Sequence, residues 1–223
     1  MAYSVPEKSK ILFQSRKSVS CEKQDVFVYS LLPIVGGTFL EVSCGHPVDC
    51  NNTFLLESET DWAGVSVDIG DVEKVFQWSE VRTAEFYRVD ATSEALTRRI
   101  KEGLDNLHVD YLSLDVDFGP FTNLTHLALE RVLNAGVSFK CCTLEHETFK
   151  YGPANRDFTR KLLHDRNYIM LFESVSFPDG SEWEDWWVDP KYFNQDVLNL
   201  KSSNITYTEA VEKVRSLNQQ TLI

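Results

Sequence analysis

Thr38-Phe-Leu-Glu-Val-Ser43, entered through Gly36-Gly37, and Ala63-Gly-Val-Ser-Val-Asp-Ile69 are the two runs whose reading decides the fold. Both are short, rich in β-branched and aromatic residues and bounded by turn formers, which reads as strands. Three further runs repeat the pattern: Glu85-Phe-Tyr-Arg-Val-Asp90, Val109-Asp-Tyr-Leu-Ser-Leu-Asp-Val116, and Val137 to Glu145. Between them the apolar spacing is helical. Ala95, Leu96, Ile100 and Leu104 form one stripe over 93–104, and Phe121, Leu124, Ala128, Leu129 and Val132 another over 121–133. Strands alternating with helices predict an α/β chain, a Rossmann-like three-layer α/β/α sandwich around a mostly parallel sheet.

The pattern continues outward. Asn155 to Asp165 reads as a helix with Phe158, Leu162 and Leu163 on one side, and Tyr168 to Ser176 as a strand. Trp183 to Val188 reads as a final strand after the turn Pro178-Asp-Gly180. Lys191 to Leu200 and Thr208 to Leu217 read as closing helices, and Glu22 to Leu32 as a leading helix on the sheet edge. With no repeat and no low-complexity linker, one domain over 1–223 is expected: an N-terminal helical extension (1–36), a core (37–190) and closing helices (191–223).

Composition narrows the function. Of 223 residues, 43% are hydrophobic and 25% charged, an ordinary globular balance. The 22 basic against 34 acidic residues leave a net charge of −12, the wrong sign for a generic polyanion binder, so no nucleic-acid partner is expected. No apolar run reaches the ~20 residues that span a bilayer, so no membrane partner is expected either. The five cysteines (Cys21, Cys44, Cys50, Cys141, Cys142) contain no CxxC pair, and the expectation is reduced thiols in a cytoplasmic protein. Met1 to Lys10 is polar and lacks the apolar segment of a signal peptide. Asn-x-Ser/Thr matches at Asn51, Asn123 and Asn204 then read as chance. A homodimer is compatible with the chain.

Ligands of open parallel sheets bind beyond the carboxyl ends of the strands, so the residues there carry the functional reading. The first strand runs into Glu41-Val-Ser-Cys-Gly45, and a helix opens near Asn51-Asn52-Thr53, whose free N–H groups suit an anion. The second ends in Asp68, suited to a ribose diol, and the third in Asp90-Ala91, suited to a purine amine. The fourth ends in Asp115-Val-Asp117 and the fifth in Glu145-His146-Glu147. A single strand-end acid is often only a turn cap; five in consecutive units are hard to explain that way. Neither GxGxxG nor GxxxxGK[ST] is present, which removes support for a dinucleotide dehydrogenase or a P-loop NTPase.

Phe39-Leu-Glu-Val-Ser-Cys-Gly45, Asn52-Thr-Phe-Leu-Leu-Glu57 and Trp62-Ala-Gly-Val-Ser-Val-Asp68 resemble the opening of FkbM-type methyltransferases. Tyr111-Leu-Ser-Leu-Asp-Val-Asp117, Leu144-Glu-His146, Arg156 to Tyr168 and Glu184-Asp-Trp-Trp187 resemble later blocks, so the likeness spans 38–190. It implies a class I enzyme that uses S-adenosylmethionine, with a seven-stranded sheet whose last strand, near 183–188, is antiparallel. Glu41 and the loop Ser43, Cys44, Gly45 would border the methionine part of the cofactor, with Asn52 and Thr53 near its amino-acid end. Asp68, with Ile69 beside it, would hold the ribose, and Asp90 and Ala91 the adenine. Ser43 departs from the family's usual glycine; at a site needing φ > 0, serine costs about 1 kcal/mol.

Methyl transfer to a hydroxyl requires alignment and removal of a proton. Asp115, Asp117, Glu145 and His146 are the candidate catalytic residues, with His146 or Asp117 as base and Mg²⁺ on Asp115 and Asp117 as a possible aid. Glu184, Trp186 and Trp187 offer acids beside aromatic rings, the composition of a sugar-binding surface, so a small-molecule or glycan acceptor is expected; the same residues also suit a core edge. A basic patch from Arg156, Arg160 and Lys161 would be needed for an anionic acceptor. Two other readings stand. Asp115-Val-Asp117 matches the DxD of metal-dependent glycosyltransferases, and Ser43 suits a non-catalytic Rossmann-like binding protein.

Overall fold

The computed structural model describes residues 18–70, 72–118 and 122–220. Residues 1–17 of the expected extension, and Phe121 of the expected helical stripe, lie outside them. In chain order the elements are α1 (Gln24–Leu31), β1 (Thr38–Val42), α2 (Phe54–Thr60), β2 (Ala63–Asp68), α3 (Val72–Val81), β3 (Glu85–Arg88), α4 (Glu94–Gly103) and β4 (His108–Leu114). A two-stranded hairpin of β5 (Asp117–Phe118) and β6 (Thr122–Asn123) follows, then α5 (Thr125–Asn134), β7 (Ser138–Glu145), α6 (Thr148–Tyr151) and α7 (Ala154–His164). The chain closes with β8 (Ile169–Ser176), β9 (Glu182–Val188), α8 (Gln195–Leu198), β10 (Ser202–Ser203) and α9 (Tyr207–Gln220).

The main sheet has the order β10-β8-β9-β7-β4-β1-β2-β3. Every pairing in it is parallel except those of β9, which runs antiparallel between β7 and β8. The expected antiparallel strand is thus present at 182–188, inside the sheet, and the count is eight where seven were expected, because Ser202–Ser203 pairs with β8. The order reverses between β1 and β4, since β1 pairs with both β2 and β4; this is the switch point at which open α/β sheets form a ligand crevice.

Burial explains the layers. β4 reads His-Val-Asp-Tyr-Leu-Ser-Leu with all but its first residue buried, as a strand covered on both faces must be. One face packs a cluster containing Phe39, Tyr111, Phe172, Trp186 and residues of α1, α2 and α9; the other packs Leu40, Val42, Leu112, Leu144, Trp187 and residues of α4, α5 and α7. In α4, Leu96 and Ile100 are fully buried one turn apart, as their spacing predicts.

Three expectations about elements change. α1 is buried nearly all round, through Val26, Phe27, Val28, Tyr29 and Leu31, and packs on the sheet face among Phe172 and Trp186 instead of on the edge. The closing stretch 191–200 is a 3₁₀ turn, Pro190–Tyr192, and the four-residue α8, each started by an Asx cap from Asp189 or Asn194. Phe158 is 41% exposed and outside the core, so α7 is anchored by Leu163 alone of the three apolar residues predicted to hold it, with Leu162 packed at its margin. Among the described residues no helix is long and apolar enough to cross a membrane.

Candidate functional site

At the switch point the chain after β1 turns sharply. Ser43 has φ 66° and Gly45 φ 62°, so the left-handed conformation anticipated for Ser43 is the one it adopts. A Cβ on Gly45 would meet nothing within 4 Å, so conformation and not space requires that glycine. The turn is held by Asp68 at the end of β2, whose carboxylate accepts the Gly45 N–H at 2.8 Å and the Gly70 N–H at 2.6 Å.

Behind the turn lies a buried polar network. Glu41 accepts hydrogen bonds from Asn51 Nδ2 (3.2 Å), the Asn52 N–H (3.1 Å), Thr53 Oγ1 (2.8 Å) and Ser66 Oγ (3.1 Å). Burial pushes its carboxyl up from the usual range, with Arg82 and these donors pulling the other way. The Arg82 side chain is wholly buried, donates to Glu57 (2.6 Å), the Pro47 carbonyl (3.0 Å), Asn51 Oδ1 (2.9 Å) and Thr53 Oγ1 (2.8 Å), and lies 4.4 Å from the Trp78 ring centroid. Arg82 was not singled out from the sequence: it lies 41 residues beyond Glu41, on the far side of β2 and α3, and no local motif marks it. Glu41, Cys44 and Thr53 are buried in or beside this network, and Asn52 donates to Ser113 Oγ at 3.0 Å; none of the four, nor Gly45, lines the adjoining cleft.

That cleft opens where the carboxyl ends of β1 to β4 meet. It gathers Ser43, Asp68, Ile69, Asp90, Ala91 and Asp117 from the sequence-derived set, and adds Val89, Thr92, Val116 and Leu124. The lining sets acids at the ends of two adjacent strands with apolar residues between them. Ile69 is 58% exposed at the rim. The open volume is about 40 Å³, against ~300 Å³ or more for ordinary ligand pockets. Asp90 is also a local cap, accepting from the Thr92 N–H and Oγ1, both at 2.8 Å.

On the other side of the switch point the acids face one another. Asp115 is hydrogen-bonded to Glu145, and burial followed by this proximity pushes the Glu145 carboxyl well up; Asp115 is raised by burial too. Glu147, hydrogen-bonded to Asp117, is pushed up to about 7 by burial and that contact. Lys150 Nζ is 3.2 Å from Glu147 and 3.6 Å from Asp117. Oxygens of Asp117, Glu145 and Glu147 lie within 4.8 Å of one another, a group that includes Asp117 of the expected pair Asp115 and Asp117.

Two further expectations are corrected. His146 is 2% exposed: its Nδ1 lies 2.7 Å from Thr148 Oγ1 and accepts the Thr148 N–H at 3.3 Å, while Nε2 faces Asp185 at 3.6 Å. It packs inside the fold, and no face of it meets the cleft as a base must. Burial raises the Asp185 carboxyl, but His146 and Arg160 outweigh it and hold it at about 2. Trp186 and Trp187 have no exposed surface; adjacent on a strand, they enter opposite cores and offer no ring to an acceptor. Glu184 is buried as well, accepting from Gln24 Nε2 at 2.7 Å. The basic residues that an anionic acceptor would need as a patch are paired: Arg156 with Asp157 and Glu182, Arg160 with Glu173 and Asp185, Lys161 with Asp165.

The cysteines also depart from expectation. Cys21 and Cys50 form a disulfide, both exposed, joining the segment before α1 to the loop after β1; Cys44, Cys141 and Cys142 are buried free thiols. The pairing is one of tertiary structure, 29 residues apart, which spacing rules for CxxC cannot register.

The sequence matches no family model and no curated protein. Solved structures do match. A TehB-like SAM-dependent methyltransferase from Corynebacterium glutamicum superposes with TM-score 0.51 at 12% identity, covering 82% of this chain and 94% of that one. The fold is that of the S-adenosylmethionine-dependent methyltransferases. Human methyltransferase-like protein 13, solved with S-adenosylhomocysteine, matches with TM-score 0.50 at 13% identity over 95% of this chain and 93% of its own. A SAM-dependent O-methyltransferase from Thermotoga maritima matches with TM-score 0.50 at 12% identity over 82% and 71%.

Proposed function

We propose that this chain is an S-adenosylmethionine-dependent O-methyltransferase of the FkbM type, working as one domain with its catalytic core at 37–190, on a hydroxyl of a small-molecule or glycan acceptor. The observation that carries the reading is the cleft at the switch point, where Asp68 and Asp90 flank Ile69 and Ala91. The residues fit the cofactor chemically. Asp68 keeps a lone pair on each oxygen beyond its two backbone bonds and would hold a ribose diol, while Asp90 and Ile69 would serve the adenine. The cofactor supplies an electrophilic methyl group on a sulfonium.

The acceptor side is Asp115, Asp117, Glu145 and Glu147. Burial raises the carboxyls of both Asp115 and Glu145, so this pair keeps a proton that exposed carboxyls would have released. Asp117, the acid of this group that lines the cleft, is the base, and Asp115 and Glu145 behind it are positioning residues. Were Mg²⁺ to bind, Asp117, Glu145 and Glu147 would hold it, and it would supply a Lewis acid for the hydroxyl. The −12 charge argues against a nucleic-acid acceptor. A cytoplasmic location remains part of the proposal, and the exposed disulfide then makes the redox poise of that compartment a variable of the site.

Calorimetry tests the reading. Micromolar binding of S-adenosylmethionine or S-adenosylhomocysteine supports it. Heat only with a nucleotide-sugar and Mn²⁺ would replace it with a glycosyltransferase, and no heat with either with a binding protein.

A further inference from the structure

Ile69 and Phe149 are exposed large apolar residues that follow strands at the carboxyl edge, Ile69 directly after β2 and Phe149 in α6 after β7. Phe149 is 53% exposed, yet its ring is fixed. It leans on half-buried Trp183 with ring centroids 5.2 Å apart at 43°, and Trp183 meets Phe177 edge-on at 4.9 Å and 85°. Phe177 in turn meets buried Tyr207 at 5.2 Å, so the row of rings is anchored in the core at one end and open at the other. The backbone ties this row to the acids. The Trp183 carbonyl accepts the His146 N–H at 2.7 Å and the Glu147 N–H at 2.9 Å, which sets the turn after β7 on the start of β9. Lys150, the neighbour of Phe149, reaches Glu147 at 3.2 Å and Asp117, on the cleft wall, at 3.6 Å. A lone exposed phenylalanine means little. An aromatic pair rimmed by polar groups beside a cleft marks a contact surface.

We propose that Phe149 and Trp183 form the acceptor platform, on which one ring face of a neutral pyranoside stacks while its hydroxyls meet Asp117 and Lys150, whose side chains are each 36% exposed. The chemistry selects that class. A sugar ring has a face of C–H groups, which suits an aromatic ring, and a rim of hydroxyls that both donate and accept; the carboxylate accepts and the ammonium donates. An anionic acceptor is disfavoured, since Lys150 is already shared by two carboxyls and Glu145 adds a third acid within 4.8 Å. The platform supplies what buried Trp186 and Trp187 do not, aromatic surface open to solvent beside an acid. The inference rests on the methyltransferase reading only for calling the stacked molecule an acceptor, because the surface is tested without the cofactor.

The experiment is saturation-transfer NMR on the full chain with methyl β-D-glucopyranoside as probe, alongside catechol and glucose 6-phosphate. The glucoside should receive saturation, strongest on the three axial protons of one ring face, a pattern that needs no variant to read. Phe149→Ala should cut the transfer at least tenfold and Phe149→Tyr less than threefold. Half of the Phe149 ring already meets water, so the alanine variant should melt within a few degrees of wild type. Glucose 6-phosphate should receive at least tenfold less than the glucoside. No transfer to the glucoside, transfer spread evenly round its ring, an undiminished signal in Phe149→Ala, equal transfer to the phosphate, or transfer to catechol alone would overturn the proposal. S-adenosylhomocysteine binding to the wild type, measured by calorimetry, bears on the methyltransferase reading and not on the platform: glucoside binding without it leaves a sugar site on another kind of protein, and it without glucoside binding leaves the enzyme and removes the platform.

Discussion

The two halves of the carboxyl edge use the same side chain in opposite ways. On the β1–β3 side each acid is satisfied by backbone N–H groups: Asp68 by Gly45 and Gly70, Asp90 by Thr92. On the β4, β7 and β9 side the acids meet acids, Asp115 with Glu145 and Asp117 with Glu147, and the pKa values of Asp115, Glu145 and Glu147 climb. The first arrangement fixes its carboxylates in place, which suits holding a diol and an amine. The second keeps protons near neutral pH, which suits taking and returning one. A strand-end acid thus has no meaning until its donors are known.

The largest effect expected of a single change lies behind the first half. Arg82→Met leaves Glu57 and Glu41 buried without their cation and frees the Pro47, Asn51 and Thr53 acceptors, so it should cost about 3–5 kcal/mol in denaturant unfolding. A loss below 1 kcal/mol would show that the loop after β1 stands without it. Next comes Asp68→Ala, which should weaken S-adenosylhomocysteine about 10- to 100-fold, the ~1–3 kcal/mol of lost charge-assisted bonds. Asp68→Asn, which keeps an oxygen for one backbone N–H, separates loop collapse from lost ribose contact: it should restore thermal stability more than affinity.

Much of this was legible in the sequence, for identifiable reasons. Strand and helix periods are local, so β1, β2, β4 and α4 fall where the apolar spacing puts them. Strand ends converge at a switch point by topology, so Ser43, Asp68, Ile69, Asp90 and Ala91 could be assembled before any coordinates. What stayed hidden depends on which face a side chain takes and on contacts distant in sequence. Trp186 and Trp187 looked like a binding surface because aromatics beside acids suit both a site and a core; only burial tells them apart. Arg82, the Cys21–Cys50 pair and the approach of Gln24 to Glu184 join segments 29 to 160 residues apart, the last from 184 − 24.

The acceptor half makes a pH prediction of the sign opposite to that of an ordinary salt-bridged protein. Glu22 and Glu147, both pushed up to about 7, together with the raised Asp115, Glu145 and Glu184, bind protons more tightly folded than unfolded, where glutamate titrates near ~4.3. Their contribution is complete below that value and is lost as pH climbs, for Glu22 and Glu147 through a folded pKa near 7. Asp185, held at about 2, acts the other way, and its contribution fades only as pH falls below ~3.9. Melting temperature should therefore peak near pH 5 and fall by several degrees toward pH 8. Glu145→Gln, which removes one repelled charge, should flatten that fall; a curve rising to pH 8 would mean the cluster is compensated by groups that the described residues do not show.

The smallest effect sharpens the first half. Ser43 and Gly45 share a left-handed backbone two residues apart, yet only one is a glycine. An L side chain there costs about 1 kcal/mol, and glycine adds unfolded-state entropy that cancels part of any gain. Ser43→Gly should therefore stabilise by no more than about 0.5 kcal/mol, whereas Gly45→Ala should destabilise by about 1 kcal/mol although its Cβ has open space. Both are read from denaturant midpoints. Were Ser43→Gly instead to destabilise, the serine hydroxyl at the lip of the cleft would be holding something the backbone alone does not, and the departure from glycine would belong to the ligand's side of the account.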